Sequence, residues 1–518
     1  MNIVFSSTYP TTWNLTKMFV IFKKGLTADT NNYRGISVVD ALPKLYDGIL
    51  NARLNTWYTP CIEQAGAQAG RGCEEQLVTL RLYIDIAKKK RYPLYIVFID
   101  YVKAYDKVCR NRLLQMLCDY GCGDKFIRAI GYSLKDTFSV IGNTEFKCTS
   151  GVKQGSATSC NLFTFYLDHT VRAIRTYGPD GFLEQNHMLL LMDDTVLLAT
   201  SRAAKLVLLY NSTLDINMTI HPDKSKYIVV NCEDSAPFKV GNATICHTEK
   251  YIYLGTPISA HPIGKQVEDH IKSKQGHICK FQSFVHRNQD APYMVKHCVL
   301  QAAVNSAILY SCESWLSKNL KCVDTAMEGC LKSLLGVRNQ TSRDLLYAET
   351  GSAPASSEVK LRQVNFFKKL TARGDVHDYP VGKAMLLARA VHSSMGVYID
   401  NLDLNNMLIK DHSLRDATIR ITTSTKTRML TYKGINSDLS KHPIYGRIDI
   451  PEYARINFTR LRLSSHYLRI ETGRWSRLKR EDRKCVCGEI KTEEHILLHC
   501  PETAFIQDKH QSWIIQTL

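Results

Sequence analysis

Two aspartates, Asp193 and Asp194, follow Leu189-Leu190-Leu191-Met192 and precede Val196-Leu197-Leu198-Ala199. Apolar runs of this length, broken by a short polar centre, predict two buried strands joined by a tight turn. Adjacent carboxylates repel, and holding them near a core is unfavourable without a bound cation. The pair points to divalent-metal and phosphoryl chemistry; taken alone, a solvated turn is the commoner explanation. A third carboxylate, Asp100, ends the continuous apolar run Leu94-Tyr95-Ile96-Val97-Phe98-Ile99, which reads as a buried strand. If these strands are neighbours, three carboxylates converge. Two Mg²⁺ ions ~3.5–4 Å apart could then be held, one activating an attacking oxygen and one stabilising the leaving oxygen. Nucleotidyl transfer needs that arrangement and little covalent chemistry from the protein.

A second group lies near the C-terminus. Cys485, Cys487, His495 and Cys500 follow the pattern Cys-x-Cys-x7-His-x4-Cys. Three thiolates and an imidazole suit tetrahedral Zn²⁺. Scattered reduced cysteines are the alternative, and His499 is a neighbouring rival for the histidine ligand. Of the 17 cysteines, most others sit inside apolar segments, as in an intracellular protein without a disulfide framework. The chain has 518 residues, room for two or three domains, and a formal net charge of +18, so a polyanion is the expected partner. No apolar run approaches the ~18 residues that span a bilayer, and no secretory signal is visible, so no membrane role is expected.

The elements that must position these groups follow from periodicity. Residues 13 to about 260 mix short apolar strands with amphipathic helices, including a helix at 205–217 and a strand at 226–231. Beyond about 265 the pattern turns helical: Val267, Ile271, Ile278, Phe281 and Val285 share one face, and further helical stretches cover 299–309 and 323–335. Gly351 to Ser357 reads as a small-residue linker. Residues 371–450 suggest helices without chemistry. From Arg455 to Lys484 the chain is strongly basic, with Tyr467 and Trp475 interleaved, a composition that contacts phosphates and stacks on bases or else forms a solvated basic face.

Several segments together resemble a family. Phe98-Ile99-Asp100-Tyr101-Val102-Lys103-Ala104-Tyr105-Asp106 resembles motif A of the reverse transcriptases of non-long-terminal-repeat (LINE-type) retrotransposons. Gly151-Val152-Lys153-Gln154-Gly155-Ser156 resembles motif B, and Leu191-Met192-Asp193-Asp194 motif C. Asn32-Tyr33-Arg34-Gly35-Ile36-Ser37 and Gln64-Ala65-Gly66 with Gly70-Arg71-Gly72 resemble two fingers motifs. Lys224-Ser225-Lys226 resembles motif D, and Tyr253-Leu254-Gly255 motif E, the primer grip. Arg460-Leu461-Arg462 through Trp475, with Glu494-His495-Ile496-Leu497-Leu498, resembles the C-terminal tail, where the Cys-His cluster looks like a nucleic-acid-binding knuckle.

The resemblance implies an α+β right-hand polymerase, with fingers and palm at 13–260, a helical thumb at 261–370, a helical connector at 371–450 and a basic segment with a CCHC zinc knuckle at 451–518. It implies an RNA-directed DNA polymerase using an RNA template, a DNA primer or target and dNTPs, acting in the nucleus. Asp100 and Asp193 would be the main Mg²⁺ ligands, with Asp194 beside them. Tyr105 would be a steric gate against a 2′-OH. Gln154, Gly155, Arg71 and Lys224 would meet the nucleotide, and Tyr253, Leu254 and Gly255 the primer. No endonuclease segment is recognised before Trp13 or after Cys500. Leu191 replaces the aromatic of motif C, Ala67-Gln68 replaces Phe-Arg, Ser156 to Cys160 replaces Cys-Pro-Leu-Ser-Pro, and Gly35 replaces a proline. These departures leave a catalytically decayed or domesticated nucleic-acid-binding relic as the alternative function. A viral RNA-dependent RNA polymerase is a third reading, opposed by the absence of Gly-Asp-Asp and by Tyr105.

Overall fold

A computed structural model of the chain describes residues 9–507 apart from Lys24, Ala203 and Asn242; residues 508–518, the end of the expected C-terminal segment, lie outside the described residues. The chain divides into two compact units. One comprises the described residues up to Pro262 together with Arg373–Asn401; the other comprises Ile263–Ala372 and the described residues from Leu402 onward. Each has its own hydrophobic core.

The first unit contains two main sheets. Strands β1 (Leu15–Phe22), β2 (Tyr33–Val38), β4 (Thr137–Ile141) and β5 (Thr144–Cys148) form one, in the order β2-β1-β4-β5. The other is ordered β6-β7-β3-β8-β10-β9, from β3 (Leu94–Ile99), β6 (Met188–Leu191), β7 (Asp194–Ala199), β8 (Lys226–Val230), β9 (Phe238–Val240) and β10 (Ala243–His247). All six residues of β3 are buried, because β7 and β8 flank it on both edges and both its faces are covered. That is why its sequence is a continuous apolar run and not an alternating one. A separate hairpin pairs β11 (Lys250–Tyr253) with β12 (Thr256–Ser259).

Helix Cys73–Lys90 is also buried along most of its length. Part of its cover is the returning segment 373–401: Arg373 reaches Glu75 at 3.0 Å, and Asp85 accepts from the Met395 amide at 2.7 Å. Gly382 and Gly396 let that segment pack tightly, since a Cβ on either would lie within 2.3 Å of a backbone carbonyl oxygen.

The second unit is helical. The single helical face expected over 267–285 is divided between two helices, Ile263–Ser273 and Gln275–Arg287, with Val267, Ile271, Ile278 and Phe281 buried as the periodicity requires. The expected linker at 351–357 is not all linker. Helix Ala355–Thr371 starts within it, because Asp324 accepts hydrogen bonds from the amide and hydroxyl of Ser356, both at 2.8 Å, and satisfies the helix N-terminus. The unit also buries charge: Glu349 is fully buried and accepts from Arg462, Tyr432 and Tyr445 at 2.7–3.1 Å. No helix among the described residues is long and apolar enough to cross a membrane.

Candidate active site and metal centres

Register brings the carboxylates together. β3 and β7 are antiparallel, and Ile99 pairs with Thr195. One step further, Asp100 leaves the end of β3 opposite Asp194 at the start of β7. A one-residue slip would turn every side chain to the other face, so two buried strands fix this juxtaposition. Asp100 is anchored through its backbone: its amide donates to Ser225 Oγ at 3.1 Å, and its carbonyl accepts from the His221 amide at 2.7 Å. Leu191 pairs with Asp194, so Met192 and Asp193 form a two-residue turn, with Met192 at φ 59°.

The carboxylates are suited to a cation. Asp100 Oδ2 is buried and makes no hydrogen bond, and Lys224 Nζ lies 3.5 Å from it. Burial raises the Asp193 pKa, the charges of Arg34 and Lys23 oppose the rise, and Asp100 adds to it. Asp194 is pushed up to about 6 by desolvation in the cleft, then by Asp193 and Asp100. Like charges that raise each other's pKa favour a shared divalent ion.

Cations ring the same cleft. Lys23 is depressed by burial and by Arg34 and Lys224, while Asp100 and Asp106 oppose that shift. Lys224 thus lies in the same cleft, beside Asp100. Lys23 and Arg34 were not singled out by sequence: they sit on the β1–β2 hairpin, where Ile21 pairs with Arg34 and the Lys23 amide donates to Asn32.

Tyr105 stands on a short helical turn, Ala104–Lys107, with its ring stacked on buried Phe163 at 4.3 Å. Burial raises its hydroxyl pKa, and Asp193 is among the charges that act on it. Gln154 is tied to the β1–β2 hairpin by its carbonyl, which accepts from the Ser37 amide at 2.8 Å. Gly155 follows at φ 118°, where a Cβ would lie 2.5 Å from Ser37 O, so the close approach requires glycine. Leu254 and Gly255 form the β11–β12 turn, both at positive φ as a type I′ hairpin demands. Tyr253 is buried beside Phe98, and Asp194 is among the charges raising its pKa.

Arg71 is placed differently from the expectation of a nucleotide ligand. Its side chain is buried, pairs with Glu75 at 2.6 Å, donates to the carbonyls of Ile62 and Gln64, and stacks on Tyr379. A guanidinium so engaged is not presented to a triphosphate.

In the second unit, the ligand atoms of Cys485, Cys487, His495 and Cys500 all lie within 4.8 Å of one another. The three aspartates are not drawn together that tightly. Cys485 Sγ and Cys500 Sγ are 3.7 Å apart, and Cys487 Sγ and His495 Nε2 are 3.2 Å apart. Zinc–sulfur bonds of ~2.3 Å in a tetrahedron imply edges of about 3.8 Å, so the donor set fits zinc. The Cys-Val-Cys-Gly turn closes through Gly488, at φ 96°. His499 is exposed and outside the cluster. In the same unit, buried Glu471 is shared by three arginines: Arg338 at 3.4 Å, Arg428 at 2.5 Å and Arg474 at 2.7 Å. Arg338 stacks on Trp475 at 3.9 Å, and exposed Tyr467 meets Trp475 edge-on.

A central sheet that sets one aspartate at a strand end beside an Asp-Asp hairpin defines the palm of a right-hand polymerase. The family described as "Reverse transcriptase (RNA-dependent DNA polymerase)" matches residues 21–258. The chain is 29% identical over 210 residues to a Retrovirus-related Pol polyprotein from type-1 retrotransposable element R2 of Popillia japonica, covering 38% of this chain and 30% of that protein. It is 27% identical over 266 residues to the corresponding protein of the type-2 element R2DM of Drosophila melanogaster, covering 46% and 25%. A telomerase structure from Candida albicans, in complex with a TWJ fragment of telomeric RNA, aligns at 12% identity with a TM-score of 0.37, over 78% of this chain and 66% of that one. Over residues 21–258 the chain is thus similar to reverse transcriptases, and the curated relatives come from retrotransposable elements, in line with the resemblance of the sequence motifs. The matches span less than a third of the length of the curated relatives.

Proposed function

We propose that the chain is an RNA-directed DNA polymerase that extends a DNA primer or nicked target on an RNA template with dNTPs. The carrying observation is the adjacency of Asp100 and the Asp193-Asp194 hairpin on paired strands, ringed by Lys23, Arg34 and Lys224. Asp100 and Asp193, with Asp194 beside them, would hold two Mg²⁺ ions, which supply activation of the primer hydroxyl and neutralisation of charge on the transferring phosphorus. Lys23, Arg34 and Lys224 balance the triphosphate. Tyr105, braced by Phe163, stacks beneath the sugar and excludes a 2′-OH. Gln154 and Gly155 line the nucleotide pocket, and the Tyr253-Leu254-Gly255 turn supports the primer end. The CCHC cluster holds a structural Zn²⁺, and the Arg338-Arg428-Arg474 group with Trp475 and Tyr467 contacts the nucleic-acid backbone and bases. Work on target DNA places this activity in the nucleus.

The test is primer extension on an RNA template with Mg²⁺ and dNTPs, with Asp193→Asn as control. Incorporation should fall at least ~10³-fold in the variant while nucleic-acid binding is retained. Equal signals from both proteins would overturn the enzyme reading. The binding-relic alternative draws support from Gln68, which stands at the family's arginine position and bonds to the Gln64 carbonyl. It predicts binding without incorporation.

A further inference from the structure

The turn carrying Asp193 does not hold itself. Met192 sits at positive φ, which is unfavourable for an L side chain. The constraint comes from Gln64, which is 1% exposed. Its Oε1 accepts from the Met192 amide and from the Gly66 amide, both at 2.8 Å, and its Nε2 donates to Met192 O at 3.2 Å. One side-chain amide therefore grips both polar groups of the turn residue beside Asp193, as a strand backbone would. The backbone around it continues the pairing: the Leu190 amide donates to Glu63 O at 3.0 Å, and the Ala65 amide donates to Leu190 O at 2.8 Å. At Gly66 a Cβ would lie 2.4 Å from Met192 Sδ and 2.6 Å from Met192 N, so only glycine admits this approach.

The grip is itself anchored. The Gln64 carbonyl accepts from Arg71 Nη1 at 2.8 Å and from the Gln68 side chain, and Arg71 is locked by Glu75. No other side chain of similar size supplies an acceptor with two lone pairs and a donor in one plane. Glutamate lacks the donor when ionised, methionine lacks both, and asparagine is one methylene short.

We infer that Gln64 is a positioning residue for the polymerase reaction: it sets the backbone of Met192 and thereby the placement of the turn that carries the Asp193 carboxylate beside Asp100. Its kinetic consequence rests on the polymerase reading; its effect on metal binding does not. Gln64→Met removes all three hydrogen bonds at similar volume, and Gln64→Glu keeps the two acceptor bonds. In primer extension, Gln64→Met should lower kcat about 10–100-fold, since small misplacement of a reacting group has effects of that order. The KM for dNTP should stay within about twofold, and the Mg²⁺ needed for half-maximal rate should rise several-fold. Gln64→Glu should fall between it and wild type. Tb³⁺ luminescence, with Asp193→Asn as the blank, should report about tenfold weaker binding in Gln64→Met. If wild type extends no primer, the polymerase reading fails, and the Tb³⁺ comparison alone decides the role of Gln64. Unchanged Mg²⁺ and Tb³⁺ dependence in both variants, whether or not they lose thermal stability, would overturn the inference.

Discussion

Replacing Asp194 by asparagine should stabilise the metal-free protein. The Asp194 carboxyl is pushed from 3.8 up to about 6 in the folded state. The folded chain therefore holds this proton more tightly than the unfolded chain does. The sign follows: the group is neutral in its effect well below pH 3.8, and stability is lost as pH rises, in full above about pH 6. Converted without correction, that shift corresponds to ~3 kcal/mol. Asp194 is exposed, and solvent screening reduces the figure to roughly 1 kcal/mol. Scanning calorimetry in EDTA at pH 7.5 should show Asp194→Asn melting ~2–4 °C above wild type. The gap should narrow at pH 4.5, where folded wild-type Asp194 takes up its proton, and close below the unfolded pKa. Mg²⁺ should raise the wild-type melting temperature more than that of the variant, which keeps Asp100 and Asp193. An asparagine variant less stable than wild type at pH 7.5, or an advantage independent of pH, would refute the account of these carboxylates as a repelling set that awaits a cation.

Tyr105→Ala should raise use of rNTPs relative to dNTPs by about 10–100-fold in competition extension, because the ring proposed to exclude a 2′-OH is removed. Cys500→Ser should abolish bound zinc by elemental analysis, and hydrogen exchange should then show lost protection across 485–500. Glu349→Leu should destabilise the protein by ~3–5 kcal/mol in urea titration, because it leaves the buried Arg462 guanidinium without a counter-charge. Trp475→Ala should weaken single-stranded oligonucleotide binding by ~1–3 kcal/mol at fixed salt, measured by anisotropy.

The carboxylates were legible because burial on both faces of β3 leaves an unbroken apolar run, and the residue that ends such a run sits where the strand leaves the core. The Cys-His cluster was legible because its loop is short and nothing distant is needed to close it. The cations of the cleft were not. Lys23 and Arg34 reach Asp193 only because the β1–β2 hairpin folds over the palm, and a lysine or arginine on a strand carries no sign of what it will face. Arg71 misled for the converse reason: its neighbours in sequence resemble a ligand motif, while its partners Glu75 and Tyr379 draw it into the core. The return of 373–401 to the first unit rests on contacts such as Arg373 with Glu75 and Met395 with Asp85, which lie some 300 residues apart in sequence.

The cluster around Glu471 has a thermodynamic consequence. One carboxylate shared by Arg338, Arg428 and Arg474 leaves two positive charges uncompensated within a few ångströms. The local fold is therefore weakest when nothing anionic is near, and mass action couples its melting to the concentration of any polyanion that binds there, by RT ln(1 + [L]/Kd). Low salt without nucleic acid is the harshest condition for this segment. An oligonucleotide should raise its stability most when ionic strength is low, so ligand occupancy and local folding form a single equilibrium.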